Sequence, residues 1–348
     1  MRRFLAALAL ASVVASPACA HGGAVGWGAD IVEQEGAWYA TPSARAIADG
    51  VVRHQAPDGG WPKNTDLAAA PAQGSAQPST FDNNATTLPM EFLAHVISAG
   101  RSGYRSSFER GLDYILAAQY ANGGWPQYYP LRGGYYDQIT FNDDAMVRVL
   151  ALLREVAAGR PPYAFVDAAR RERAAHAVER GTELILRAQV RQNGVLTAWC
   201  AQHDRETLAP AWARAYEPPS LSGQETVDIV RFLMQIESPS PEVVAAVEGA
   251  AAWLQSVAIA GTRVEDFRAA DGQRDRRIVH DANAPRMWAR FYELETNRPI
   301  FLGRDSTIRY SFAEIEPERR AGYNYYGVWA ERLLGVQYPA WRARHTAR

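Results

Sequence analysis

Cysteine is nearly absent from this 348-residue chain: two are present, Cys19 and Cys200. Cys19 lies in a leader-like N-terminus, so removal of that leader leaves Cys200 alone. An intramolecular disulfide and a cysteine-rich metal site are then both excluded, and stability must come from the core. Lysine is scarcer still. Of 37 basic residues only Lys63 is a lysine, so arginine has taken every position where either would serve. A lysine that survives such a bias points to a need for a compact ammonium group. No strong charge of either sign is present: the formal net charge is −1, and it becomes −3 without Arg2 and Arg3. With no basic tail or basic repeat, bulk electrostatics will not drive nucleic-acid binding. An anionic ligand would need a local basic cleft. Long apolar runs are missing too. Phe4 to Val14 is too short to span a bilayer. Motifs of serine hydrolases, zinc proteases and phosphate-binding loops are not found.

The N-terminus reads as a secretory signal. Arg2 and Arg3 precede the apolar stretch, and Ala18-Cys19-Ala20 supplies small residues for cleavage. Residues 1–20 are therefore expected to be removed, leaving residues 21–348 as a single domain that is secreted or periplasmic, with no membrane partner.

Helical periodicity dominates the remainder, over Phe108 to Tyr120, Asp144 to Ala158, Glu172 to Arg191 and Thr226 to Ile236. No segment alternates as several strands would. Leu67 to Ser79 and Ala269 to Arg276 read as loops, and Glu237 to Pro241 as a helix boundary. The chain also repeats. Gln55-Ala56-Pro57-Asp58-Gly59-Gly60-Trp61-Pro62 recurs as Gln119-Tyr120-Ala121-Asn122-Gly123-Gly124-Trp125-Pro126, and a decayed third copy runs from Gln189 to Leu196. Phe81-Asp82-Asn83-Asn84-Ala85-Thr86 likewise matches Phe141-Asn142-Asp143-Asp144-Ala145-Met146. Repeated helical hairpins of this length predict an all-α fold, an incomplete α/α toroid whose long loops converge on a substrate cleft.

Three constellations could carry chemistry. Asp82, Asn83 and Asn84, with Asn142, Asp143 and Asp144, place oxygen-bearing side chains at equivalent points of two repeats. Helix capping needs one such residue and not three in succession. Hard oxygen donors on adjacent loops suit Ca²⁺. Lys63, Arg214 and Arg304 lie in loop sequence rich in aromatics and turns, where anion contact is favoured. His203-Asp204 follows Cys200 closely, but catalytic triads are spatial and adjacent residues rarely form one. Ten tryptophans offer either sugar platforms or core.

At these residues the chain resembles the family 10 pectate lyases, over roughly His54 to Leu334. The resemblance rests on Asp58-Gly59-Gly60-Trp61-Pro62-Lys63-Asn64, Thr80-Phe81-Asp82-Asn83-Asn84-Ala85-Thr86, Gly123-Gly124-Trp125-Pro126-Gln127-Tyr128-Tyr129-Pro130 and Ile139-Thr140-Phe141-Asn142-Asp143-Asp144-Ala145-Met146. It continues through Trp199-Cys200-Ala201-Gln202-His203-Asp204, Ala213-Arg214-Ala215-Tyr216-Glu217-Pro218-Pro219-Ser220 and Trp288-Ala289-Arg290-Phe291-Tyr292-Glu293-Leu294. It implies Ca²⁺-assisted β-elimination of α-1,4-linked polygalacturonate. It further implies Arg214 as the base, Lys63, Arg304, Asn83 and Tyr216 as substrate contacts, and Asp82 with Asp143 or Asp144 as metal ligands. A monomer is expected. His203 is the competing base, because histidine titrates near neutrality. A toroidal glycoside hydrolase, a carbohydrate-binding module and a terpene cyclase-like protein are the alternatives.

Overall fold

A computed structural model describes residues 25–71, 74 and 77–345. The expected leader lies outside the described residues, as does part of the Leu67 to Ser79 segment. Seven helices form the body: α1 (Pro42–His54), α2 (Thr87–Ser98), α3 (Arg105–Ala117), α4 (Ala145–Ala158), α5 (Ala168–Ala188), α6 (Glu225–Met234) and α7 (Pro241–Ser256). Two short ones, α8 (Pro317–Gly322) and α9 (Tyr338–His345), follow late in the chain. Helix α4 packs on both α2 and α6, α5 packs on both α3 and α7, and each pair α2–α3, α4–α5 and α6–α7 joins the two layers. Apolar positions recur at helical spacing on the buried faces, for example Leu150, Leu153 and Val156 of α4. Thr41 caps α1, Asp167 caps α5 and Ser240 caps α7, each accepting a hydrogen bond from a first-turn amide.

The repeat is better preserved in space than in sequence. Four indoles, Trp61, Trp125, Trp199 and Trp288, are fully buried. Each donates its Nε1 proton to a carbonyl of a helix that precedes it in sequence: Val51, Ile115, Ile185 and Leu254, at 2.8, 2.8, 2.7 and 2.8 Å. Three glutamines act alike. Gln55, Gln119 and Gln189 each use Nε2 to tie their own turn to the next helix, at Ser107, Ala177 and Ala246. The third copy is thus structural, although its Gly-Gly has gone. In the first two copies that glycine is required. Gly59 and Gly123 both have φ of +100°, and a Cβ there would lie 2.5 and 2.2 Å from the carbonyl oxygens of Arg110 and Arg180. These four tryptophans are core residues and not sugar platforms.

The expectation of an all-α toroid is corrected. The described residues are 46% helix and 13% strand, and six two-stranded antiparallel sheets occur among them. The physical reason is that the loops after the helices run extended, and their buried backbone groups need partners. They find them on the next repeat. Thr80 bridges Tyr128, Ile139–Thr140 pairs with Gln202–His203, and Leu221–Ser222 pairs with Phe291–Tyr292. Two-residue ladders carry no readable alternation. The segment read as a polar loop around Ala269 is the tip of a hairpin, β6 (Thr262–Arg268) with β7 (Arg274–His280), numbered after the five shorter strands Ile139–Thr140, Arg191–Gln192, Val195–Leu196, Gln202–His203 and Leu221–Ser222. Its strands are charged, with cross-strand pairs such as Arg277–Glu265, so no apolar face announces them. A second, smaller core of Tyr216, Phe291, Ile300, Phe301, Leu302, Phe312, Ile315, Tyr323 and Tyr325 supports this region.

Candidate active site

The inter-repeat ladders set the same position of each copy beside the acidic turns. Two residues beyond the core tryptophans stand Lys63, Gln127, Ala201 and Arg290. The backbone amides of Phe81 and Phe141 bond to the carbonyls of Gln127 and Ala201, and that of Gly223 to Arg290. From this position Lys63 and Gln127 reach one acidic turn and Arg290 reaches the other.

Those turns are one-turn 3-10 segments, Asp82–Asn84 and Asn142–Asp144, and they touch each other. In both, the second and third residues are left-handed: φ is 51° and 59° at Asn83 and Asn84, and 49° and 62° at Asp143 and Asp144. Asparagine and aspartate tolerate that conformation best after glycine. The backbone thus accounts for much of the run of Asn and Asp, and no side-chain capping bond forms at the helices that follow.

Asp82 is buried. Its Oδ2 takes an ion pair from Lys63 and a 2.9 Å bond from Gln127 Nε2. Its Oδ1 is buried with no hydrogen-bond partner. Burial disfavours the Lys63 ammonium, but the hydrogen bond and charge of Asp82 outweigh it and raise the Lys63 pKa. Asn83 is exposed and bonds to Asn64 Oδ1 at 3.0 Å.

Asp143 is held differently. Arg290 is buried, and its Nη2 meets Asp143 Oδ1 at 3.2 Å, Asn142 Oδ1 at 3.2 Å and Glu225 Oε1 at 2.6 Å. The Arg290 guanidinium also lies 4.9 Å from the ring centre of Tyr323. The Tyr323 hydroxyl donates to Glu217 Oε1 at 2.9 Å. Glu217 in turn grips Arg214: Oε2 accepts from Nε at 2.7 Å and Oε1 from Nη2 at 2.5 Å. A chain of contacts therefore runs from Asp143 to Arg214. The Arg214 side chain is 42% exposed, and Nη1 has no hydrogen-bond partner among the described residues. Burial lowers its pKa, but the Glu217 bonds and charge prevail and raise it.

The other candidates are placed less centrally. Tyr216 is buried and wedged between two guanidinium groups, Arg214 at 5.1 Å and Arg319 at 4.6 Å from its ring centre. Arg304 is exposed and paired with Glu318, and it reaches Tyr216 only through that acid and Arg319. Asp144 turns to Arg148 at 3.5 Å and lines a pocket of about 390 Å³ with Asp228 and Arg231, shared with no other candidate. Desolvation and the neighbouring Asp228 and Glu225 push its pKa up to about 7. His203 is fully buried. Its Nε2 accepts from the Cys200 amide and its Nδ1 donates to the Leu208 carbonyl, so it is neutral with both nitrogens engaged, and burial lowers its pKa to about 4.

Sequence reasoning assigned no role to Arg290, Glu217 or Glu225. The available signal for Arg290 was its position, two residues past a core tryptophan like Lys63. Among the described residues no three His, Cys, Asp or Glu side chains converge into a ready metal site.

Residues 55–334 match the sequence model of the pectic acid lyases. Similar solved structures include the following two. One is an Asp-to-Ala mutant of a family 10 polysaccharide lyase from Cellvibrio cellulosa in complex with trigalacturonic acid; it is 36% identical, with TM-score 0.78, covering 87% of this chain and 95% of that one. The other is the same organism's family 10 polysaccharide lyase, 35% identical, with TM-score 0.78, covering 92% and 100%. No curated protein matches at a significant level.

Proposed function

The chain belongs to the pectic acid lyase family and is a polysaccharide lyase of pectate, and from that premise we propose that it cleaves α-1,4-linked polygalacturonate by Ca²⁺-assisted β-elimination with Arg214 as base. The observation that carries the reading is the contact chain that links the partly exposed Arg214 guanidinium to the acidic turn at Asp143.

The reaction removes the C5 proton of a uronate and expels the C4 oxygen. Negative charge gathers on the carboxylate beside C5, so fixed positive charge there stabilises the transition state more than the ground state. Arg214 Nη1 is the nitrogen left free to take the proton. Lys63, already an ammonium beside Asp82, is the cation that a compact carboxylate contact would use. Asn83 adds an exposed amide.

Calcium fits the donors present. Asp82 Oδ1 is an unpaired buried carboxylate oxygen, Asp143 is partly exposed beside it, and hard oxygen ligands are what the ion takes. Bound there, it would supply positive charge next to the substrate carboxylate. Since three acidic side chains do not converge, substrate and water would complete its shell. Asp143 is the better ligand of the second turn, because Asp144 faces α6. Arg304 is assigned to the rim, and Tyr216 to support beneath Arg214.

Arg214 as base requires loss of a proton that Glu217 helps it keep, so activity should climb into alkaline pH. His203 is a poor rival, since neither nitrogen is free. A glycoside hydrolase needs one protonated carboxyl, yet Asp82 and Asp143 each face a cation. Residues 21–348 are assigned to one exported catalytic domain that works as a monomer. No helix among the described residues is long and apolar enough to cross a membrane.

Arg214→Lys tests the assignment. As base, its loss should lower kcat by about 10³ with KM largely kept. A loss of only about tenfold would reduce Arg214 to an electrostatic contact.

A further inference from the structure

Glu217 is among the least exposed carboxylates of the molecule, and nothing in the chemistry above uses it directly. Its two oxygens carry four hydrogen bonds. Oε2 accepts from the Arg214 backbone amide at 3.1 Å and from Nε at 2.7 Å. Oε1 accepts from Arg214 Nη2 at 2.5 Å and from the Tyr323 hydroxyl at 2.9 Å. The backbone closes on itself as well, with the Glu217 amide bonded to the Arg214 carbonyl and the Ala213 amide to the Glu217 carbonyl. Pro218 and Pro219 follow at once and fix the exit of this turn.

The arrangement leaves one choice of nitrogen. A guanidinium forked onto a carboxylate through Nε and Nη2 has its Nη1 directed away from that carboxylate, by the planarity of the group. Tyr216 and Tyr323, whose ring centres lie 5.2 Å apart, stand together on one side of the guanidinium, at 5.1 and 5.7 Å between charge centre and ring centre. Rotation is therefore opposed by the fork and by the rings together. The contrast with Arg304 is informative. Its fork onto Glu318 uses the same two nitrogens at 3.2 and 3.0 Å, but both side chains are more than half exposed. Exposed pairs of that kind hold a geometry weakly. Arg319 also bonds Glu318, so each acid has a second partner; what sets the Arg214–Glu217 pair apart is that its carboxylate, with the Tyr323 hydroxyl on it, is buried.

We propose that Glu217 is a positioning residue for Arg214, which fixes Nε and Nη2 so that Nη1 meets the substrate and whose charge sets the pH at which Arg214 can act. The proposal rests on Arg214 being the base. It explains how an arginine on a loop keeps one orientation before substrate arrives, which matters because misplaced reactive groups lose rate steeply. The cost is chemical: the same carboxylate favours the protonated guanidinium. Other charged and titratable groups around the pair are Tyr216, Tyr323, Tyr325, Tyr135, Arg290 and Glu225, with Arg319 beyond the Tyr216 ring. Arg290 and Arg319 remain when Glu217 is neutralised, so the positive surroundings would then ease deprotonation.

The experiment is kcat and KM on polygalacturonate across pH for Glu217→Gln and Glu217→Asp, with a thermal melt of each. Glu217→Gln removes charge and keeps shape. The alkaline rise of kcat should move to lower pH by about one pH unit or more. Glu217→Asp keeps charge and shortens the reach. It should leave the rise where it was and lower kcat about tenfold or more, with KM little changed. If Glu217→Gln fails to fold, the Glu217→Asp split between kcat and KM decides alone. A Glu217→Gln rise at the wild-type pH, or a Glu217→Asp loss confined to KM, overturns the proposal and makes the pair a loop staple. Arg214→Ala separates the two readings. Normal turnover in Arg214→Ala sinks the base assignment itself. An inactive Arg214→Ala with an unmoved Glu217→Gln profile sinks only the role of Glu217.

Discussion

The turns Asp82–Asn84 and Asn142–Asp144 have the same backbone to within a few degrees in φ and different chemistry. In the first, the acid is the leading residue, buried, with one oxygen held by Lys63 and Gln127 and the other unpaired. In the second, the leading residue is Asn142, and the acid moves on to Asp143, where it is partly exposed and clamped by Arg290. A repeated scaffold fixes where a side chain can stand. The choice of Asp or Asn, one residue along, decides which way the charge faces. Two nearly superposable turns thereby offer carboxylate oxygens that differ in burial and in partner, as a shared cation between them would need.

Removing either acid should have the largest effect. Asp82→Ala and Asp143→Ala should each lower kcat/KM by about 10² or more at limiting calcium, about 2.7 kcal/mol. If both serve one ion, the double variant should lose little beyond the worse single. Fully multiplicative losses would show two independent sites. Lys63→Arg is next. A planar fork in place of an ammonium beside Asp82 should cost about tenfold or more on polygalacturonate, and wild-type kinetics would make the lysine incidental.

Asp144 sharpens the contrast inside the second turn. Because its carboxyl faces Arg148 and Asp228, Asp144→Asn should cost less than about tenfold, against about 10² for Asp143→Asn. The reverse order would exchange their roles. His203 gives the smallest effect on rate and a distinct effect on stability. Its folded pKa of about 4 lies below the ordinary 6.5, so the unfolded chain binds the extra proton first. Stability should therefore be intact above about pH 6.5 and fall by about 3 kcal/mol as pH drops towards 4. Thermal melts across that range should show the decline, and His203→Gln should flatten it while the alkaline activity profile stays in place.

Much of this was legible in the sequence, and the reasons differ by element. The helices α3, α4, α5 and α6 announced themselves through apolar spacing, to within a few residues at their ends. The two Gly-Gly-Trp-Pro turns were readable because a positive φ and a close carbonyl leave no alternative to glycine. The fourth copy of the repeat was hidden, since its glutamine and glycines are gone and what survives, the Trp288 bond to Leu254 and the Gly223 bond to Arg290, shows only in space. The small sheets were invisible because two-residue ladders satisfy backbone groups without any side-chain pattern. The hairpin after Gly261 escaped because both its faces are charged. At the site, Lys63, Asp82 and Asp143 stood out by rarity or repetition. Arg290 and Glu217 did not, because a buried arginine and its acid look like any surface pair until burial is known.

Elimination and hydrolysis of the glycosidic bond leave different products. The most direct measurement is near-ultraviolet absorbance during incubation of the protein with polygalacturonate, with and without a calcium chelator, from neutral to alkaline pH. Elimination by Arg214 predicts an unsaturated product whose formation accelerates into alkaline pH and stops with chelator. New reducing ends without that absorbance, or absorbance indifferent to chelator and level above about pH 7.5, would contradict it.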